Sequence, residues 1–361
     1  MIWGVVLFLP FRPWSTIEKI DHLEKKNTDI HIEVTALIPA RNEESYVKNL
    51  VESLLKSALI QNVIVVDDES TDDTLVNLSL INSERLTVIS GSTPPEGWVG
   101  KVWALHQGSV NISTPFVLLI DADIEFDNTI LDSILQKAKS DKLQLTSIMA
   151  LLKTESFWDK IMIPAFIYFF KLLYPFSLSN NPKSKSVAAA AGGFILLETS
   201  VLWRIGGFSA LKNALIDDCS LAKLVKKTGG KTWIGLSKGI RTKRSYGTLS
   251  NIWLMVERTA FTQLNYSLLN LIFCTVIMGL MFFVPLISLT QFDKTITTIS
   301  LSSIFVMALT YFPIVKYYKL NLFRTLTLPL AGVLFLLMSW SSAIKYMLGK
   351  RSEWKGRTYK K

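Results

Sequence analysis

Phe116-Val-Leu-Leu-Ile-Asp-Ala-Asp123 is the stretch that decides the fold, because five apolar residues run unbroken into two carboxylates set one residue apart. A short apolar run bounded by polar residues reads as a buried strand. Strands buried on both faces belong to parallel sheets flanked by helices. In such sheets, ligands bind outside the carboxyl ends of the strands. The neighbouring strands should therefore end in polar clusters as well.

Working outward, Val34-Thr-Ala-Leu-Ile-Pro39 is a strand that leads to Arg41-Asn-Glu43. Asn62-Val-Ile-Val-Val66 leads to Asp67-Asp-Glu69, and Leu86 to Ser90 is a third strand. Between them, residues 42–58 place Val47, Leu50, Val51, Leu54, Leu55 and Ala58 on one helical face. Ser70 and Asp73 have the spacing of a capping box opening a helix toward Leu80. A Gly- and Pro-rich loop, 91–100, precedes a helical stretch from Lys101 to Val110. Alternating strands and helices give an α/β fold with a mostly parallel sheet. Its acidic clusters share one edge, and no internal repeat is present.

The 361 residues exceed the needs of one compact domain, and the 49% hydrophobic content is concentrated. Residues 268–290, 297–315 and 325–344 carry no charged side chain. A helix needs ~20 such residues to cross a bilayer, so these runs read as transmembrane helices. Met1 to Trp14 is apolar without an Ala-x-Ala-like site and reads as an anchor rather than a cleaved signal. Arg12, Lys19, Lys25 and Lys26 follow it and favour a cytoplasmic catalytic domain. Phe157 to Leu178, aromatic with Lys160 and Lys171, reads as an amphipathic helix in the membrane interface, with a core helix as the alternative.

The net charge of +10 and the tail cations Lys350, Arg351, Lys355, Arg357, Lys360 and Lys361 suit anionic headgroups beside a membrane segment. No nucleic-acid module accompanies them. Three spans would place this tail opposite the catalytic domain, although the loop Lys316–Arg324 is basic too. One run is then re-entrant or interfacial, and hydropathy does not say which. Cys219 and Cys274 stand in dissimilar environments, which disfavours a disulfide and suits a reducing compartment.

Asp121 and Asp123 at a strand end offer hard oxygen ligands for Mg²⁺ or Mn²⁺. Such an ion neutralises a diphosphate and assists its departure. Asp67 and Asp68 can accept hydrogen bonds from a base or ribose, or simply shape a turn. Lys101 can meet a phosphate oxygen, and Trp98 is a candidate lid or stacking group. Asp217 and Asp218 offer a general base, or a helix N-terminus. His106 lies between apolar residues and reads as structural. Neither a P-loop nor a dinucleotide-binding fingerprint is present.

Leu37-Ile-Pro-Ala-Arg-Asn-Glu43, Val65-Val-Asp-Asp-Glu-Ser-Thr-Asp72, Ile120-Asp-Ala-Asp123, Gly192-Gly193, Gly206-Gly-Phe208 and Ile216-Asp-Asp-Cys-Ser-Leu221 together resemble the family 2 inverting glycosyltransferases. Gly97-Trp-Val-Gly-Lys101, Arg258-Thr-Ala-Phe-Thr-Gln263 and Trp354-Lys-Gly-Arg357 look most like the hopanoid-associated branch. The resemblance implies a GT-A fold with a Rossmann-like mixed sheet. It implies a nucleotide-sugar site at Ala40, Arg41, Glu43, Asp68, Lys101, Asp121 and Arg258, a metal held by Asp123 and Asp121, and catalysis by Asp218 with Asp217 beside it. The Gln-x-x-Arg-Trp motif of many processive relatives is replaced here by Val256-Glu-Arg-Thr259, which suits a single transfer.

The expectation is therefore a multi-pass membrane enzyme with its catalytic domain in the cytoplasm. Residues 1–30 form an anchor and linker and 31–265 the transferase domain, with the interfacial helix near 157–178. Residues 266–348 form the transmembrane helices and 349–361 the basic tail. Its partners are a nucleotide-sugar donor and a membrane lipid acceptor related to hopanoids or polyisoprenoids, with no nucleic acid. Two rivals stand beside it. A haloacid-dehalogenase-type phosphatase also uses Asp-x-Asp, but Ile124-Glu125 follows here where that fold needs Thr or Val. A non-catalytic nucleotide-binding membrane protein would keep the pocket and lose the chemistry.

Overall fold

A computed structural model describes residues 2–21, 32–291 and 293–349, with the backbone of 353–354 and 357–358. Lys25, Lys26 and most of the basic tail lie outside the described residues. The chain divides into two compact units. One comprises Glu18–Leu152 and Leu178–Arg244; the other comprises Met1–Ile17, Lys153–Ser177 and Ser245–Lys361.

The first unit is built on eight strands: β1 (Val34–Ala40), β2 (Ile60–Asp67), β3 (Leu86–Ser90), β4 (Phe116–Ile120), β5 (Ile124–Phe126), β6 (Leu145–Leu151), β7 (Phe194–Glu198) and β8 (Thr232–Thr242). They form one sheet in the order β3-β2-β1-β4-β7-β6-β8-β5. β1 to β4 pair in parallel. β7 runs antiparallel to both β4 and β6, so the sheet is mixed.

The period of two along each strand supplies both faces with core. Ala36, Ile38, Val63, Val65, Leu118 and Ile120 pack on one face with the helices Val47–Leu55 and Asn128–Asp141. Leu37, Ile64, Val66, Val117 and Leu119 pack on the other with Gly100–Ser109 and Asp217–Lys227. The chain moves outward from β1 to β3 and then returns to β4 on the other side of β1. That reversal opens a crevice at the carboxyl ends of β1 and β4.

The expected capping box at Ser70 and Asp73 does not form. The helix spans Thr74–Ser79 and Asp73 makes no side-chain cap. Ser70 Oγ instead accepts from Asn42 N at 2.9 Å, and Thr71 N donates to Asn42 Oδ1 at 2.8 Å. These residues are spent on cross-linking the loops after β1 and β2, a long-range demand that local spacing does not reveal.

The second unit gathers the apolar helices. Leu268–Ser288, Lys294–Tyr317 and Leu322–Met347 are each long and apolar enough to cross a membrane. Large apolar side chains are exposed on them, including Leu269, Phe273, Phe305 and Phe323. The segment expected at 157–178 forms the helix Phe157–Leu173, and it differs from the amphipathic expectation. Ile161, Met162, Ile163, Ile167 and Tyr168 are buried, and Lys171 is buried with its ammonium 3.7 Å from the Phe176 ring centroid. A cation on a water-facing side would stay hydrated, whereas this one is enclosed. Asp159 caps this helix, and its carboxylate also accepts from Ser245 Oγ at 2.6 Å and Gly247 N at 3.1 Å.

A close approach in the sheet unit gives a test of the packing. Gly91 N donates to Asp67 O at 2.8 Å, and a Cβ at Gly91 would stand 2.7 Å from that oxygen. Gly91→Ala should therefore destabilise the chain by about 1–3 kcal/mol, the range for overpacking. The shift in urea midpoint of the detergent-solubilised protein measures it.

Candidate active site

The strand ends place the acidic clusters together at the crevice. After β1, Asn42 takes a left-handed backbone (φ 52°) and turns the chain outward. The Arg41 guanidinium donates to the carbonyls of Asp68 and Glu69, so it braces the loop after β2. Asp68 N donates to Ala40 O at 2.7 Å, fastening the same two strand ends. Asp67 Oδ2 accepts from Ser70 N at 3.2 Å, whereas Oδ1 is buried without a hydrogen-bond partner. Asp72 sits under the same bridge. Against the upward push of burial, hydrogen bonds from Thr74 and from the backbone of Glu44 and Thr74 hold its carboxyl below the usual carboxylate range.

After β4, Asp121 N donates to Gly193 O at 3.2 Å and Ile124 N to Asp121 O at 3.1 Å, so Asp121 and Asp123 sit on a tight turn. Lys101, from the first turn of its helix, reaches Asp121 Oδ1 at 2.7 Å. Burial works against the Lys101 ammonium, but Asp121, Asp217 and Asp218 outweigh it and hold its pKa above the ordinary lysine value.

Asp217 and Asp218 open the helix Asp217–Lys227. Burial and the neighbouring Asp217 push the Asp218 carboxyl up to about 6. Hydrogen bonds from the Cys219 and Gly192 amides and the Lys101 charge oppose that rise. A Cβ at Gly192 would stand 3.2 Å from Lys101 Nζ and 3.3 Å from Asp218 Oδ2, so a residue without a side chain suits the place where the two converge. Pro39, Lys101, Asp121, Gly192, Asp217 and Asp218 line a cleft.

Arg244, just past the end of β8, was not singled out from the sequence. Its Nη2 lies 2.6 Å from Glu43 Oε2 and its Nε 3.1 Å from Asp123 Oδ2. Burial lowers its pKa, but Glu43 and Asp123 more than compensate and raise it. The only sequence signal is the cationic run Arg241-Thr-Lys-Arg244 at a strand end. Of the other expected residues, Ala40 and Asp68 are fully buried at the strand ends. Arg258 belongs to the other unit, exposed just after the helix Leu249–Glu257. Trp98 packs edge-on against Trp103, with ring centroids 4.9 Å apart, and beside His106 at 4.9 Å.

Two hard carboxylates at a partly exposed turn fit Mg²⁺ or Mn²⁺, since these ions keep waters and substrate phosphates as their other ligands. No group of three or more His, Cys, Asp or Glu side chains able to hold a metal occurs among the described residues.

Comparison with known proteins agrees with this geometry. Residues 35–206 match the family model described as glycosyl transferase family 2. Over 97 residues the chain is 35% identical to the 4,4'-diaponeurosporenoate glycosyltransferase of Staphylococcus aureus (strain USA300). That match covers 27% of this chain and 25% of the relative's length. Among solved structures, the mannosyltransferase PcManGT from Pyrobaculum calidifontis in complex with GDP-Man and Mn2+ is similar with a TM-score of 0.52. It is 13% identical, and the likeness covers 90% of this chain and 91% of that one. The fold is thus of GT-A type, with three apolar C-terminal helices.

Arg244 offers the sharpest structural test of the site. Arg244→Met strips the guanidinium from Glu43, which is 7% exposed, and from Asp123. Removing one partner of a fully buried pair costs ~3–5 kcal/mol, and partial exposure of Arg244 reduces this to about 1–3 kcal/mol. Chemical denaturation of the purified variant should show that loss.

Proposed function

We propose that the chain is an inverting glycosyltransferase that moves a sugar from a nucleotide-sugar to the hydroxyl of a membrane lipid. The observation that carries the reading is Asp218: a half-buried carboxyl beside a second carboxylate, lining a cleft with Lys101 and Asp121. Ala40, Arg41, Glu43, Asp67 and Asp68 form the edge suited to the nucleoside, with carboxylates to accept from its N–H and O–H groups. Lys101 and Arg244 supply positive charge where the diphosphate would lie. Asp121 and Asp123 would hold a Mg²⁺ or Mn²⁺ ion, which when bound would neutralise charge on the departing diphosphate.

In the reaction, Asp218 takes the proton of the acceptor hydroxyl as its oxygen attacks the anomeric carbon. The bond from that carbon to the diphosphate oxygen breaks, and the leaving electron pair departs with the nucleotide diphosphate. One displacement inverts the anomeric centre. The Asp217 charge raises the Asp218 pKa and acts on Lys101, and Arg258 is assigned to the donor by the family resemblance alone. The apolar helices support a lipid acceptor, of the hopanoid or polyisoprenoid alcohol class, and attachment to the cytoplasmic face of a membrane.

The relative's name indicates a diaponeurosporenoate acceptor for that protein. A carboxylate acceptor is already ionised at neutral pH and needs no base. In this site two acidic side chains stand beside Lys101, which is already paired with Asp121. That charge balance repels an anionic acceptor and favours a neutral hydroxyl.

Asp218→Asn should lower turnover by about 10²–10⁴-fold, the usual worth of a general base, while nucleotide-sugar binding by calorimetry stays unchanged. Retention of most transfer would reject the base and favour an ionised acceptor. The base works as the carboxylate, and its pKa is raised to about 6. For the wild type, kcat/KM should therefore fall tenfold per pH unit below that value and level off above it.

A further inference from the structure

Three parallel lines of contact within the second unit bear on how it meets a bilayer. The Arg324 guanidinium lies 5.8 Å from the Phe157 ring centroid, and the Phe335 and Phe169 rings are 5.2 Å apart. From Phe157 to Phe169 the helix advances ~18 Å at ~1.5 Å per residue. From Arg324 to Phe335 the advance is also ~18 Å, at ~2.0 Å per residue through the 3-10 turn and ~1.5 Å beyond. Phe157–Phe169 and Arg324–Phe335 therefore run side by side in the same direction.

A third segment follows the same course. Ser245 and Gly247 bind Asp159 near the start of the Phe157 helix. Glu257 binds Ser341 and Lys345 near the end of the last helix. Leu268–Ser288 runs the opposite way along that helix. A Cβ at Gly332 would stand 2.7 Å from the Phe282 ring, Trp340 Nε1 donates to Thr275 Oγ1 at 3.0 Å, and Tyr346 stacks on Tyr266 at 4.4 Å. As one number rises the other falls.

Connectivity turns these alignments into a constraint. Lys153 follows Leu152 and Ser177 precedes Leu178, so the Phe157 helix is joined at both ends to the sheet unit by short segments. If Leu322–Met347 stood across a bilayer, the helix beside it would stand across too. Its two ends, ~25 Å apart, would then lie near opposite edges of a ~30 Å hydrocarbon core. A compact sheet unit with exposed charge cannot follow the chain to both depths, because its polar backbone and charges would be stranded in lipid.

We propose that the apolar helices do not cross the bilayer and that this unit is embedded from one face, its helices inclined along the membrane plane. This rests on the reading that the unit is in a membrane at all. It replaces the expectation of three spans, under which the basic loop at Lys316–Arg324 and the basic tail fall on opposite faces. Exposed Leu269, Phe273, Phe305 and Phe323 supply the apolar contact with lipid.

The test uses the full chain in sealed vesicles of both orientations, with Cys274→Ser to remove the accessible native thiol; Cys219 is buried. Leu254→Cys, Gln291→Cys and Leu348→Cys report the approach to the apolar helices, the turn between the first two, and the C-terminal end. A membrane-impermeant maleimide should label all three from one face and none from the other. Labelling of Gln291→Cys or Leu348→Cys from the face opposite Leu254→Cys overturns the proposal. A C-terminal epitope tag on the otherwise unchanged chain gives a second readout. Protease should remove it from the face at which the sheet unit is digested, and removal only from the other face also overturns it. Recovery of the wild type in the soluble fraction after a salt wash would instead defeat the membrane reading itself.

Discussion

Five carboxylates converge on one edge of the sheet, and two cations hold them there. Lys101 lies against Asp121 and within the field of Asp217 and Asp218, while Arg244 spans Glu43 and Asp123. Without those cations, like charges brought this close and partly out of water would repel strongly. The sheet topology makes the crowding unavoidable, because β1, β2 and β4 all end on the same side. The arrangement has a chemical use. A bound diphosphate is itself a polyanion, and the same two cations can turn from carboxylates to phosphates without crossing the site. The resting ion pairs therefore preserve positive charge in the place where a donor would need it.

Acids of similar sequence context stand in different electrostatic surroundings at this edge. Asp121 and Asp123 stand at a partly exposed turn with a cation against each. Asp218 is half-buried beside another acid, and its proton is held to about 6. Cys219 behaves accordingly: burial and the adjacent Asp218 push its thiol well above the ordinary range, which leaves it a packing residue whose Sγ donates to Ala190 O at 3.4 Å.

Much of this was legible in the sequence, and the failures share one physical cause. Strands β1 to β4 were legible because each is a short apolar run, and their order put Arg41, Asp68 and Asp121 on one edge. Later strands were not, because β5, β6 and β7 are separated by insertions that no local period connects. Arg244 escaped notice since its partners lie 201 and 121 residues away in the chain. Ser70 and Asp73 had the spacing of a cap, but Asn42 claims Ser70 from another loop. In each case a tertiary partner overrode a local pattern. The two compact units follow a different grouping from a contiguous 31–265. Lys153–Ser177 and 245–265 are more apolar than the sheet requires, and they pack with the C-terminal helices instead.

Hydropathy carries a similar limit. A run of twenty apolar residues fixes how long a helix is and what it avoids, but not the direction it takes through lipid. Direction is set by what lies alongside. Phe157–Leu173 is tied at both ends to a polar unit, so any helix aligned with it inherits that inclination. Lys171 is enclosed with its ammonium against the Phe176 ring, while Phe157 at the start of the same helix remains exposed. An enzyme that takes an apolar acceptor gains from lying along the leaflet. Its apolar helices then share the depth of the lipid's hydrocarbon chain, and the acceptor's polar end reaches the surface without leaving the membrane.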